Sequence, residues 1–577
     1  MRIAVIDKEK CQPKRCALEC IKYCPGVRMG EETITQDEEG KAVISEPLCT
    51  GCGICIKKCP FQAINIVNLP EELGNPVHSY GQNAFRVFGL PVPKKGIVGI
   101  IGPNGIGKST VMSILAGKLT PNLGKSNEAS WEEMIELYRG QEIQQHLEEL
   151  KDGEVRAAFK PQNVDLIPKN FDGTVKEFLE TTKERKTDLS ALQLELIKDT
   201  KVSEVSGGEL QRLAIAATLQ KKADIYFFDE PSSYLDVKQR LGIAKVLRKL
   251  SENKKVMLVE HDLAVLDYLS DYVHVLYGMK GVYGIVSSLK SVRVGVNSFL
   301  EGYLKTENMR FRDHAIKFEV KAPTEEWKGK IYTELPGFKK KYNRFRLEAE
   351  PCALLEGEVI GIMGPNAIGK STFMKVHAGE EKPDEGKIEE KKKISYKPQY
   401  VYSDFEGNVQ QLVLGTELDK EVFNQFLRKE IEDLYEKPVQ GLSGGEVQRV
   451  GIALALAREA DIYLLDEPSA FLDVERRIRL AEIIRRITEK RKTTTLIIDH
   501  DIVFQDYVSD RMMIFEGTPG VKGFARSPQP MHSGMNKFLK DMAITYRRDP
   551  ESGRPRANKP DSQKDLEQKK TGEYYYS

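Results

Sequence analysis

Eight of the nine cysteines fall before residue 60, and such crowding calls for metal–thiolate chemistry. The first four are Cys11, Cys16, Cys20 and Cys24, followed by Pro25; the second four are Cys49, Cys52, Cys55 and Cys59, followed by Pro60. The second run, C-x-x-C-x-x-C-x-x-x-C-P, has the spacing of a bacterial ferredoxin, where three thiolates wrap one cubane and the fourth reaches its neighbour. That swap assigns Cys11, Cys16, Cys20 and Cys59 to one 4Fe-4S cluster, and Cys49, Cys52, Cys55 and Cys24 to the other. The first run departs from the pattern, with four, three and three residues between its cysteines. A reducing cytosol disfavours disulfides, and paired zinc sites usually show two C-x-x-C pairs. Cys352 stands alone and is read as a small buried hydrophobe. Electron transfer would call for an acceptor site such as a flavin fold, which the sequence does not show. Structural use, tying together a domain too small to rely on its core, fits at least as well.

Two further stretches could handle phosphate. GPNGIGKST, with Gly102, Asn104, Gly105, Gly107, Lys108, Ser109 and Thr110, and GPNAIGKST, with Gly364, Asn366, Ala367, Gly369, Lys370, Ser371 and Thr372, both fit G-x-x-x-x-G-K-[ST]. Each follows an apolar, strand-like run, so backbone N–H groups at a helix N-terminus can converge on phosphates. Lys108 and Lys370 are expected to bind the outer phosphates, and Ser109 and Ser371 to hold Mg2+. IYFFDEP and IYLLDEP then deliver two carboxylate pairs, Asp229 with Glu230 and Asp466 with Glu467. The first acid of each suits the magnesium shell, and the second suits polarising the attacking water.

The two sets are in register. Lys108 and Lys370 lie 262 residues apart, whereas Glu230 and Glu467 lie 237 apart, so the first copy holds 25 extra residues between its lysine and its acids. SGGE, at Ser206, Gly207, Gly208, Glu209 and again at Ser443, Gly444, Gly445, Glu446, repeats with the 237-residue offset. Gln162 and Gln399 each follow a proline, and His261 and His500 each follow a β-rich run. This combination, carried twice, resembles the ABC ATPase family. The resemblance implies a head-to-tail dimer of the two halves, with SGGE of one half capping the γ-phosphate bound by the other. Site one would then join Lys108, Ser109, Gln162, Asp229, Glu230 and His261 to Ser443, Gly444 and Gly445; site two would join Lys370, Ser371, Gln399, Asp466, Glu467 and His500 to Ser206, Gly207 and Gly208. On the same resemblance Gln162 and Gln399 would join the magnesium shell, and the histidines would sense the γ-phosphate. Tyr80 and Tyr342, each 22 residues before the first glycine of its loop, are expected to stack on adenine. Asp236 and Asp473 match the loop that passes between the halves.

The elements that must position these groups fill most of 577 residues, a length for three to five domains. The fold class is α/β: two ABC-type P-loop ATPase domains in tandem behind a small α+β ferredoxin-like domain. With 87 basic and 86 acidic side chains, no global field attracts nucleic acid or membrane. No apolar run is long enough to span a bilayer, and the N-terminus lacks a signal-peptide core, so a soluble, cytoplasmic protein is expected.

The expected division is 1–75 for the iron–sulfur domain, 76–294 for the first ATPase domain, 295–315 for a hinge, 316–530 for the second ATPase domain, and 531–577 for a second hinge and flexible tail. The extra residues of the first half read as a helix–loop–helix arm at about 128–153. Ser130 and Glu133 form a capping box, Gly140 ends the first helix, and Ile143, Leu147 and Leu150 form the stripe of the second. GVNSFLEGYL at 295–304 is echoed by GMNKFLKDMA at 534–543, and RFRD at 310–313 by YRRD at 546–549, as related hinges would be. The tail after Asp549, rich in Pro, Lys, Arg and Asp and ending GEYYYS, reads as mostly disordered.

Taken together, these parts resemble the ribosome-recycling ATPase, or RNase L inhibitor, family, the E subfamily of ABC ATPases, over essentially the whole chain. The resemblance implies an ATPase that binds the small ribosomal subunit, both rRNA and protein, and splits ribosomes after termination or stalling. Its partners would be a release factor or its stalled-ribosome paralogue, and initiation factors. The halves would dimerise within one monomeric chain, and ATP-driven closure would swing the cluster domain. Basic stretches such as Lys391–Lys393 and Arg310–Arg312 are consistent with ribosomal contact. Two alternatives remain at this point: an ATPase serving transport or cluster assembly on separate proteins, and a redox enzyme in which ATP drives electrons from the clusters.

Overall fold

The computed structural model describes residues 2–69, 73–185, 188–318, 330–388, 392–401 and 404–575. The first domain is small. Strand Arg2–Ile6 pairs antiparallel with Ile64–Asn68, a short hairpin joins Ile34–Gln36 to Ala42–Ile44, and three short helices carry cysteines or follow them. Its core includes Ala4, Ile6, Ile34, Ile44 and Ile64 with buried Cys20, Cys24, Cys49 and Cys55. The domain is fastened to the first ATPase half by Asn83, whose side chain donates to the carbonyls of Ala4 and Ile44, and by Arg86, which pairs with Glu46 at 2.9 Å.

Each ATPase half is built around parallel strands that end at the functional loops. In the first, Ala157–Lys160, Ile225–Asp229 and Lys255–Val259 pair in parallel, and Gly96–Ile101 pairs in parallel with Tyr272–Met279. In the second, Ile394–Lys397, Ile462–Asp466, Thr494–Ile498, Val359–Met363 and Arg511–Thr518 follow one another in parallel. The central strands are buried along their length because helices cover both faces, which is why they read as continuous apolar runs.

The arm in the first half forms as expected. Helices Trp131–Leu137 and Gln144–Lys151 are joined through Gly140 at φ +76°, and the Ser130–Glu133 capping box is closed in both directions. Met134, Tyr138, Ile143 and Leu147 join the core of the first half, so the arm is tethered along one side.

The seam between the halves holds both hinge segments. Helices Val292–Glu301 and Met531–Asp541 bury Phe299, Leu300, Phe538 and Leu539 in one core shared with residues of both halves. The repeated asparagine does the same kind of work twice. Asn297 donates to Asp549 at 2.9 Å and to Glu551 at 2.7 Å, and Asn536 accepts from the N–H groups of Tyr574 and Tyr575.

Two expectations are corrected. The segment after Asp549 is ordered: Tyr546–Arg548 pairs with Pro555–Ala557, helix Gln563–Thr571 follows, and Tyr575 is buried. Its central arginines are not solvated. Arg554 and Arg556 pair with buried Asp267, while Arg548 and the Tyr575 hydroxyl meet Asp506, so composition misreads as disorder what is ion pairing. Nor does Arg312 belong to an exposed basic patch. It is buried, donates to the carbonyl of Leu300 at 3.1 Å and lies 3.5 Å from Glu475. Lys391 of the other basic stretch, like the final two residues of the tail, lies outside the described residues.

Candidate functional site

Both phosphate loops have the same internal geometry. The ammonium of Lys108 donates to the carbonyls of Gly102 and Pro103 and to the side chain of Asn104; that of Lys370 donates to the carbonyls of Gly364 and Pro365. Both are buried, and burial lowers both, Lys370 to about 8. Gly107 and Gly369, at φ +90° and +101°, begin the helices that carry Ser109 and Ser371. Ser109 donates to Asp229 at 2.6 Å, and Ser371 lies beside Asp466. Desolvation, the largest cause, raises both aspartates from the ordinary aspartate value.

Glu230 and Glu467 directly follow their strands at φ +48° and +46°, in the left-handed region that an ordinary side chain avoids. Gln162 donates to Glu230 at 2.8 Å, and His261 Nε2 lies 3.4 Å from it; His500 Nε2 lies 3.6 Å from Glu467. Burial, chiefly, holds both imidazoles below their usual value, and the nearby lysines push the same way.

The halves meet head to tail. The N–H of Asn104 donates to Asp473 at 3.1 Å, and the N–H of Asn366 donates to Asp236 at 2.9 Å, so each phosphate loop touches the interface loop of the other half. Tyr234 and Phe471 cross edge to face between them at 5.5 Å. A cavity of about 840 Å³ brings Asn104, Gln162, Glu230 and His261 of the first half to Ser443, Gly444, Gly445 and Glu446 of the second. At the other site Gln399, Glu467 and His500 line a cavity of about 60 Å³ that Ser206–Glu209 does not reach. Gly207 instead lines the large cavity. Ser206 and Ser443 each cap their helix in a closed box with Glu209 and Glu446, leaving Gly208 and Gly445 in its first turn.

Tyr80 and Tyr342 are exposed beside the loops. The Tyr80 hydroxyl is 3.0 Å from that of Thr110, and Tyr342 is hydrogen-bonded to Thr372 and Glu381.

Sequence reasoning missed two pairs. Lys160 and Lys397, fully buried and pulled down to about 8 by desolvation, donate at 2.8 Å to the carbonyls of Asp229 and Asp466 and so fix the backbone of the acid pairs. Both precede Pro–Gln at the 237-residue offset, a signal that was present. Glu260 and Asp499, just before the histidines, accept from the N–H and hydroxyl of Ser232 and Ser469. Burial pushes them up to about 7 and about 6.

In the first domain, burial pushes the Cys20 thiol up to about 11, and Cys59, Cys11 and Cys16 add to the rise. Burial likewise pushes Cys55 up to about 11, and the cysteines that add to it are Cys49, Cys52 and Cys24. Those neighbours are the cysteines expected to share a cluster with each. Among the described residues no three His, Cys, Asp or Glu side chains are grouped to hold a single metal ion. Cys352 is buried in a strand, and burial raises its thiol to about 12, as a packed hydrophobe requires. No helix of the described residues is long and apolar enough to cross a membrane.

Comparison with known proteins finds the same kinds of domain in the chain. The ABC transporter model matches residues 86–233 and 351–470, a possible Fer4-like domain in RNase L inhibitor matches 1–32, and a 4Fe-4S binding domain matches 42–65. The chain is 53% identical to an uncharacterized ABC transporter ATP-binding protein of Methanocaldococcus jannaschii, over 100% of this chain and 98% of that protein. It is 44% identical to translation initiation factor RLI1 of Saccharomyces cerevisiae, again over 100% and 98%. Among solved structures, a model of ribosome-bound archaeal Pelota and ABCE1 superposes with a TM-score of 0.94 at 52% identity, covering 100% of this chain and 99% of that one. A complex of archaeal ribosomal stalk protein aP1 with the archaeal ribosome recycling factor aABCE1 gives 0.83 at 52% identity, over 88% of this chain and 100% of that one.

Proposed function

The chain belongs to the RNase L inhibitor family of twin ABC ATPases, and from that premise we propose an ATP-hydrolysing ribosome recycling factor. It binds the small ribosomal subunit and splits ribosomes after termination or stalling, together with a release factor or its paralogue, in the cytoplasm. The observation that carries this reading is the head-to-tail seating of each phosphate loop on the other half's interface loop, through Asn104–Asp473 and Asn366–Asp236. A likeness that runs through the cluster domain and both hinge segments supports the ribosomal part, which the ATPase halves alone would not.

Each residue then has a task. Lys108 and Lys370 exchange loop carbonyls for the outer phosphates, and Ser109 with Asp229, and Ser371 with Asp466, would hold Mg2+, joined by Gln162 and Gln399. Glu230 and Glu467 orient and polarise the attacking water. His261 and His500, kept neutral by burial, offer an N–H toward the transferred phosphate. Tyr80 and Tyr342 stack on adenine, and Ser443–Gly445 and Ser206–Gly208 close the two sites. Two 4Fe-4S clusters would be held by Cys11, Cys16, Cys20, Cys59 and by Cys24, Cys49, Cys52, Cys55; the pairing of charge neighbours supports this division. Bound there, the clusters would staple a domain whose own core is small. Closure of the halves reaches this domain through Asn83 and Arg86.

The test is anaerobic co-sedimentation with small ribosomal subunits, with and without a non-hydrolysable ATP analogue, for the parent chain and the Glu230→Gln, Glu467→Gln double variant. Retention that depends on nucleotide and strengthens when hydrolysis is blocked is expected. No binding in either nucleotide state, with cluster absorbance intact, would return the chain to a transport, assembly or redox role.

A further inference from the structure

Site one carries two cations that site two lacks, each from a single difference in a repeated contact. After strand Tyr272–Met279, Gly281 donates its N–H to the carbonyl of Gly105 at 3.0 Å; in the second half Gly520 donates to Ala367 at 2.8 Å. The residue before the donor is Lys280 in the first half and Pro519 in the second. The interface loops differ in the same way. Asp236 accepts from the N–H of Gln239 at 2.8 Å, and Asp473 from that of Arg476 at 3.0 Å, so Gln239 and Arg476 hold equivalent places.

Their side chains part company for a chemical reason. Gln239 turns its Oε1 back to the N–H of Asp236 at 3.3 Å and completes a capping box. A guanidinium has no acceptor with which to do this. Arg476 instead lines the large cavity together with Lys280. Because Asp473 also receives the N–H of Asn104, Arg476 is brought to the phosphate loop of the first half, whereas Gln239 is brought to Asn366. Lys280 and Arg476 thus approach one site from opposite halves, and neither forms an ion pair among the described residues. Lys280 is open to the cavity yet desolvated by its walls; that desolvation, with repulsion from Arg476 and Arg449, holds its ammonium below the ordinary lysine value, against the pull of Glu446 and Asp433. Facing cations in a partly enclosed space cost free energy that an anion between them removes.

The geometry points to a second anion clamp, confined to site one, in which Lys280 of the first half and Arg476 of the second grip the nucleotide's terminal phosphates. Closure of that site then depends on phosphate charge more steeply than closure of site two. The inference rests on site one being a composite ATP site.

The experiment uses the full chain with intact clusters, with Lys370→Ala leaving site one and Lys108→Ala leaving site two. Dissociation constants for a non-hydrolysable ATP analogue and for ADP are measured along a salt series. Lys280→Met with Arg476→Gln should weaken the analogue at site one by about tenfold, weaken ADP less, and flatten the salt dependence. Lys280→Arg should retain the parent affinity, which separates lost charge from lost fold. The mirror pair, Pro519→Lys with Gln239→Arg, should tighten site two and steepen its salt dependence. Unchanged affinity and slope at site one would overturn the clamp, as would an equal loss at site two in the Lys108→Ala chain. Failure of the Lys370→Ala parent to bind the analogue at all would remove the composite site, and the clamp with it.

Discussion

In the first half Glu230 is held down to about 2, whereas in the second Glu467 stands above the ordinary glutamate value, although both follow equivalent strands beside equivalent histidines. Burial pushes both upward. At Glu230 it is outweighed by His261 at 3.4 Å, by the charge of Lys108 and by the Ser233 hydroxyl, which donates at 3.2 Å. At Glu467 burial is joined by repulsion from Asp466, and Lys370 and Gln399 do not offset it. Ala470 stands where the first half has Ser233, so one donor is missing. A motif repeated letter for letter at its core can therefore hold one acid ionised and leave its twin nearer to protonation. The largest expected effect breaks both sites: Glu230→Gln or Glu467→Gln should slow phosphate release at its own site by roughly two to four orders of magnitude, read with the other site's lysine replaced.

The C-terminal segment gives a second contrast between the halves. On the first, Arg554 and Arg556 converge on Asp267, all three buried; on the second, Arg548 and the Tyr575 hydroxyl reach Asp506, with Arg548 partly open to solvent. Asp267→Ala leaves buried Arg554 without its carboxylate, and Arg556 with Asp549 alone at 3.4 Å, and should cost about 3–5 kcal/mol of unfolding free energy. Asp506→Ala should cost less, about 1–3 kcal/mol, because Arg548 can turn to water. Denaturant melts of the two variants check the order, and equal losses would contradict the difference in burial.

What was legible in the sequence follows the same physics. Cysteine spacing, phosphate loops, acid pairs and SGGE are local patterns imposed by chemistry at fixed geometry; the fold brings loop, acid and SGGE together around the large cavity, while Ser206–Glu209 stays away from the small one. The head-to-tail pairing was not local: Asn104 and Asp473 are 369 residues apart, and only family resemblance joined their loops beforehand. The tail was misread because Pro, Lys and Arg count as solvated in composition, while here Arg554 finds a buried partner 287 residues away. Lys160 and Lys397 escaped notice because a lysine next to an apolar run reads as a strand end, not as a buried donor to a backbone carbonyl.

The glutamate contrast sharpens into a pH dependence. Water activation needs the carboxylate ionised, so site two, with its raised Glu467, should lose turnover at a higher pH than site one as acid is added. The stability signs are opposite as well. Ionised Glu230 stabilises the fold above the ordinary carboxylate range, and that contribution is lost as pH falls toward about 2; Glu467 disfavours its charged form, so its burial is costly above its raised value and not below the unfolded one. Ser233→Ala should move the acid limb of site one toward that of site two, and Ala470→Ser should do the reverse, each with about a threefold change in turnover on the acid side. Single-turnover rates across an acid series, site by site, would show it, and coincident limbs in the parent chain would contradict the assignment.

The smallest effect concerns the one letter by which the phosphate loops differ. Gly105 sits at φ +73° and Ala367 at φ +56°, the same left-handed turn. An L side chain there costs about 1–2 kcal/mol, so the second loop carries strain that the first avoids. Ala367→Gly relieves it but returns conformational freedom to the unfolded chain, worth about 0.4–1 kcal/mol, and the net gain should be about 0.5 kcal/mol, a small rise in melting temperature. Gly105→Ala is not the simple mirror. A Cβ there would lie 3.0 Å from Cγ of Lys280, so besides the backbone cost it would displace the side chain proposed to reach the phosphates. Gly105→Ala should therefore weaken nucleotide binding at site one beyond its thermal cost, whereas Ala367→Gly should leave affinity at site two unchanged, because Pro519 has no charged end to move.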